Sequence, residues 1–293
     1  MAIEDVGSLE AGLGSTGGEG LSRLLDLSQK VVSDEGSNGM AAADRDELVK
    51  ALLEVIASGQ GGGKARYTFG RALGCLGDPR LSTPSQDAYW ATVSMSDGTA
   101  LDVGRFQVTT TEYQSFVDAG GYQKQELWTE AGWNWLSTAT SPWTVRALTP
   151  EAEPFVGPNQ PVVGINWYEA QAYCNSVGAR MLRFDERLWV VRGEERRPYP
   201  WGSPFGEGQA NTKEEVIGAP CAVGIFLGDC TPEGIYDLAG NVAEWTEDEI
   251  GGQHWVHPGA FNQPSMAAWA KARELCGPQS WSAARGFRLA RES

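Results

Sequence analysis

At 293 residues, 41% hydrophobic and 10% aromatic, the chain can bury a sizeable core. Its 38 acids against 23 Lys and Arg give a net charge of −15, which repels phosphate backbones and anionic lipid heads and excludes nucleic acid as an expected partner. Residues 1–10 lack a basic and apolar leader pattern and no window of 18 apolar residues occurs, so no membrane insertion and a cytoplasmic location are the expectations.

Residues 1–20, rich in Gly and Ser, read as a flexible leader. Leu21, Leu24, Leu25 and Val32 recur at helical spacing, and after the turn-like Asp34-Glu-Gly-Ser-Asn-Gly39 a second helix carries Leu48, Leu52, Val55 and Ile56. Asp44 and Glu47 resemble a capping arrangement at its start. Residues 21–60 therefore predict a short helical hairpin or interaction arm, whose apolar stripes need a cover and could take a partner. Residues 61–86 read as a linker holding a short helix around 67–76, ended by Gly77 and Pro79. Beyond Tyr89 come short β-type runs at 90–95 and 101–108, interrupted by helices at 111–119, at 167–177 behind an Asn166 N-cap, and at 184–192. Few helices, short strands and long loops predict an α+β domain over 87–293.

The five cysteines, Cys75, Cys174, Cys221, Cys230 and Cys276, are odd in number and lack CxxC spacing, so free, mostly buried thiols are expected. His254 and His257, without a nearby carboxylate partner in sequence, read as packed or solvated more readily than as metal ligands. Residues 251–293 hold Lys271, Arg273, Arg285, Arg288 and Arg291 against Glu274 and Glu292, a local basic excess best read as arginines bonding to acids within the domain.

Several stretches, in order, resemble one family. They are Gly104-Arg-Phe-Gln-Val-Thr-Thr-Thr-Glu-Tyr113, the tryptophan-rich loop Trp128-Thr-Glu-Ala-Gly-Trp-Asn-Trp135, Pro161-Val-Val-Gly-Ile-Asn-Trp-Tyr-Glu-Ala-Gln-Ala-Tyr-Cys174, Tyr199-Pro-Trp-Gly202, Ala210-Asn-Thr212, Gly234-Ile-Tyr-Asp-Leu-Ala-Gly-Asn-Val-Ala-Glu-Trp245 and Gly286-Phe-Arg288. Together they resemble the formylglycine-generating-enzyme or sulfatase-modifying-factor domain, a subclass of the C-type lectin fold. One stretch departs: after Arg180 comes Met181-Leu-Arg-Phe-Asp-Glu-Arg-Leu188 where the family reads Leu-Pro-Thr-Glu-Ala-Glu-Trp-Glu, so packing around Arg183 and Arg187 must differ.

The resemblance implies a structural calcium held by the Asp237 and Glu244 carboxylates and the Gly240 and Val242 carbonyls, a set of hard oxygens suited to that ion. It also implies where copper(I) would sit in the enzymes: on two thiolates between a Gly-Gly-Ser-aromatic strand and a downstream Ala-Arg. The equivalent interval here, 261–273, contains no cysteine, so no copper is expected. Instead Val256-His-Pro-Gly-Ala-Phe261, Ala272-Arg273, Pro278 and Gly286-Phe-Arg288 resemble the frame of the variable region in proteins of this fold diversified by retroelements. That resemblance implies a variable region at 255–288 and a ligand-binding face of Trp255, His257, Asn262, Gln263, Ser265, Met266, Trp269, Glu274, Leu275, Gln279, Trp281 and Ser282. The expectation is a non-catalytic recognition protein for a protein or other macromolecular ligand. The alternatives are a formylglycine-type copper oxidase acting on a protein cysteine and a structural or effector-recruiting subunit.

Overall fold

The computed structural model describes residues 18–33 and 40–293; of the leader expected at 1–20, residues 1–17 lie outside the described residues, as does the turn expected at 34–39, while Glu19 and Gly20 already belong to a helix. Among the described residues three helices come first, α1 (Glu19–Ser33), α2 (Ala42–Ala57) and α3 (Gly63–Leu76). The third was expected as a short piece of linker, yet it is the hub of the unit. Leu24, Leu27 and Val31 of α1 and Leu48, Leu52 and Val55 of α2 share one buried cluster with Phe69, Ala72 and Leu73 of α3. The other wall of that cluster is Cys221, Ala222, Ile225 and Phe226, so the apolar stripes are covered by the chain itself. Small residues on α3 make this docking close: a Cβ at Gly70 would lie 2.7 Å from that of Ala222, and one at Gly74 2.4 Å from Asn159 Oδ1. Asn159 Nδ2 donates to the Gly70 carbonyl and the Asp78 carboxylate. The expected capping at Asp44 is not the start of α2, which begins at Ala42 behind Ala41 with no side-chain cap; Asp44 lies in the first turn. Gly77 does close α3, at φ 92°.

The rest is a mixed α+β domain with two four-stranded sheets. The first has β1 (Trp90–Ser94), β2 (Ala100–Gly104), β3 (Arg180–Met181) and β8 (Leu289–Glu292) in the antiparallel order β1-β2-β8-β3, which sews the domain's two ends together. The second has β4 (Ala243–Ile250), β5 (Gln253–His257), β6 (Glu274–Cys276) and β7 (Arg285–Gly286) in the order β6-β5-β4-β7, with β7 parallel to β4. Helices α4 (Thr110–Asp118), α5 (Glu130–Thr138), α6 (Trp167–Ser176) and α7 (Phe184–Arg192) join them, with a single helical turn at Trp143–Arg146 between α5 and α6. Thr109 with Glu112 and Asn166 with Glu169 form capping boxes at α4 and α6, so two of the orphan N–H groups at each start are satisfied locally. The tryptophan-rich stretch read as a loop is instead α5, N-capped by Thr129, because Trp133 and Leu136 pack against the main core.

That core is aromatic. Tyr113 meets Trp143 at 4.9 Å, Phe116 at 5.4 Å and Tyr173 at 5.7 Å between ring centroids, and Phe287 closes the group from the C-terminal end. All five cysteines are free. No helix among the described residues is long and apolar enough to cross a membrane.

Candidate functional site

The C-terminal segment alternates anchors with exposed side chains. Phe261 is buried, its N–H donating to the Asn241 carbonyl and its ring 6.0 Å from Phe155. Lys213 N–H donates to the Gln263 carbonyl, and Ser265 N–H to Glu214, which fixes the path of 262–265. In the next turn Ala268 and Ala270 point inward, while Met266 is 76% and Trp269 46% exposed. Lys271 stands 5.8 Å over the Trp269 ring.

The chain then forms the sheet edge at β6, where Leu275 lies opposite Trp255. Arg273 covers the Trp255 ring at 4.5 Å and Phe184 at 5.2 Å. Glu274, Leu275, Gln279 and Trp281 are exposed, as are Asn262 and Gln263. Trp255, Ser265 and Ser282 are half-buried; the Ser282 carbonyl takes the Gly164 N–H and its hydroxyl the Ala284 N–H.

Trp281 divides two adjoining cavities. One, of about 330 Å³, is apolar and lined by Val145, Ala152, Phe155, Val156 and Val163; the other, of about 280 Å³, lies between Trp135, Thr138 and Gln279. Arg146 borders both, 5.0 Å from the Trp281 ring centroid. Its charge is met by Glu169, which also accepts the Tyr122 hydroxyl at 2.9 Å and the Trp143 N–H at 2.6 Å. Arg146 and Glu169 were not singled out in the sequence, because their partnership spans 23 positions and no local pattern marks it.

One residue of the expected face is misplaced. His257 is buried, with Nδ1 accepting the Gly259 N–H and Nε2 facing the Trp269 carbonyl at 3.1 Å. Burial, and then the Arg187 charge, push its pKa down to about 3. It supports the segment around Trp269 from below. His254, three residues earlier, stacks on Trp167 at 3.8 Å, so the two imidazoles serve separate packing roles.

The loop expected to hold calcium is a buried charge node. Glu244 Oε2 accepts from Arg187 Nε at 2.9 Å, and Oε1 from Arg288 Nη2 at 2.9 Å and Gln107 Nε2 at 3.0 Å. All three charged side chains are at most 2% exposed. Burial pushes the Glu244 carboxyl up, but Arg288 and Arg187 outweigh it and hold the pKa at about 2. The Val242 carbonyl accepts from Gln107, the Gly240 N–H donates to Asp229, and one Asp237 carboxylate oxygen takes the Gly224 N–H. Burial, and then Asp237, push Asp229 up to about 8, and burial pushes Asp237 up to about 6. With two guanidinium groups on its strongest carboxylate, the set Asp237, Gly240, Val242 and Glu244 does not fit a divalent cation. Of the basic residues expected to bond inside the domain, Arg288 does so here and Arg291 pairs with Asp102.

A family model described as the sulfatase-modifying factor enzyme 1-like domain matches residues 86–293. The chain belongs to that family. It is 30% identical over 166 residues to hercynine oxygenase of Mycolicibacterium thermoresistibile, covering 53% of this chain and 37% of the relative. It is 28% identical over 182 residues to the formylglycine-generating enzyme of Thermomonospora curvata, covering 50% and 59%. The chain thus spans less than two thirds of the length of these relatives. Among solved structures, PvdO of Pseudomonas aeruginosa superposes with a TM-score of 0.50 at 21% identity over 67% of this chain and 82% of that one, which supports the shared fold. Treponema denticola variable protein 1 aligns with a TM-score of 0.49 at 16% identity, over 70% and 95%.

Proposed function

We propose that this family member is a non-catalytic recognition protein that presents its C-terminal segment to a protein or other macromolecular ligand, as the variable protein of a diversity-generating retroelement. The observation that carries the reading is the placement of tryptophan. Of 12 in the chain, only Trp269 and Trp281 are exposed, and with Met266 and Leu275 they lie within 16 residues of one another. Buried rings earn their place by packing, whereas exposed rings next to cavities are suited to serve as anchors for a partner. Support also comes from the interval 261–273, which supplies no thiolate for copper(I).

The locus provides the test. A near-copy of the coding sequence for residues 255–288, differing chiefly at adenines and accompanied by a reverse-transcriptase gene, is expected; absence of both removes the diversified reading. The relatives named as enzymes favour a second reading, a formylglycine-type oxidase acting on a protein cysteine. Copper(I) titration and incubation with a cysteine-containing peptide address it: the recognition reading expects neither tight binding nor peptide oxidation.

A further inference from the structure

Three oxygens of the loop converge on one atom. The carbonyls of Asp237 and Val242 and the Glu244 Oε1 lie 3.1, 3.0 and 3.0 Å from Gln107 Nε2. An ion shared by those oxygens would sit at such a point, but calcium draws its ligands to about 2.3–2.6 Å and takes six to eight of them. The spacing here is that of N–H···O hydrogen bonds. Glu244 Oε2 is turned away from that point toward Arg187, and Arg187 Nη2 donates to the Leu238 carbonyl within the same loop. Arg288 reaches the Tyr236 carbonyl on the loop's other side at 2.6 Å. Both Glu244 oxygens, the Asp237, Val242, Leu238 and Tyr236 carbonyls and one Asp237 carboxylate oxygen are thus already bound by guanidinium or N–H groups.

We propose that this domain dispenses with calcium in the 237–244 loop, the ion's place being taken by the Gln107 amide and the Arg187 guanidinium. The source of the exchange is visible in the chain. Arg187 lies in the helical stretch that departs from the family's wording, and α7 carries it inward to 2% exposure, where the family sequence has an uncharged residue. Two guanidinium groups against one Glu244 charge leave the node electrostatically complete once Asp237 is counted, so an added divalent cation would meet like charge at hydrogen-bond range.

The test uses the full chain. Thermal melts in EDTA and in millimolar CaCl2, with MgCl2 as the ionic control, are expected to give the same Tm, and calorimetric titration with CaCl2 no saturable heat. A calcium-specific rise in Tm that Asp237→Ala abolishes overturns the proposal; that variant removes the side-chain oxygens, whereas an asparagine amide would still ligate calcium, and it leaves the Arg187, Glu244 and Arg288 pairing intact. A rise that survives Asp237→Ala comes from other oxygens and leaves the loop assignment standing. Arg187→Met is the converse: freeing Glu244 Oε2 is expected to create a calcium-dependent rise in Tm that the wild type lacks, and no response there overturns the exchange of one cation for another.

Discussion

Trp245 and Trp281 each carry an arginine over the ring, Arg285 at 4.5 Å and Arg146 at 5.0 Å, yet they do opposite work. Trp245 is 1% exposed on β4, with its indole N–H toward the Ile165 carbonyl, and forms part of the scaffold. Trp281 is 51% exposed beside two cavities. The same pairing chemistry therefore builds a framework where water is excluded and leaves an exposed ring, on the face proposed to bind a ligand, where it is not. The framework's strongest point is the buried Arg187, Glu244 and Arg288 group, and its counterpart is the exposed run through Met266, Trp269 and Leu275.

The contrast breaks most visibly at the node. Glu244→Ala strands two buried guanidinium groups and is expected to cost about 3–5 kcal/mol in chemical denaturation. A loss under about 1 kcal/mol would mean that water reaches the node and that it does not hold the framework.

The next effect is on pH dependence. Asp229 has a folded pKa of about 8, above its ordinary 3.8, so it binds a proton in the fold that the unfolded chain has released. Stability from this group is full below the unfolded pKa and falls as pH rises toward 8. Glu244, held at about 2, works the other way, and its contribution is lost only as pH falls from 4.5 toward 2. Asp229→Asn should therefore lose less Tm than the wild type between about pH 5 and pH 8, and equal slopes for the two proteins would exclude a protonated Asp229.

The smallest effect is on the display side. Trp269→Ala and Trp281→Ala are each expected to change stability by at most about 1 kcal/mol, the loss of a surface cation–π contact, against about 3–5 kcal/mol for Trp245→Ala. A cost at Trp281 equal to that at Trp245 would make it a core residue and remove it from the face.

Much of the scaffold was legible because its signals are local. Asn166 announces the start of α6, Gly77 ends α3, and the helix expected over 184–192 is α7. Trp128 to Trp135 was read as a loop from the family resemblance, and packing against the main core makes 130–138 a helix. The role of α3 was hidden because its partners at 221–226 lie some 150 residues downstream. On the candidate face eight of the twelve expected positions are exposed and Trp255, Ser265 and Ser282 half-buried, whereas His257 is buried, since a strand residue's side is settled by what packs on it.

By itself, then, the sequence determined the family, the α+β domain over its C-terminal two thirds, the missing thiolates at 261–273 and the segment that carries exposed aromatic side chains. Only the tertiary structure decided which groups bond to the 237–244 loop. Gln107, Arg187 and Arg288 lie 137, 57 and 44 positions from Glu244, and groups so far apart in the chain acquire their meaning only when folding places them within about 3 Å in a buried site.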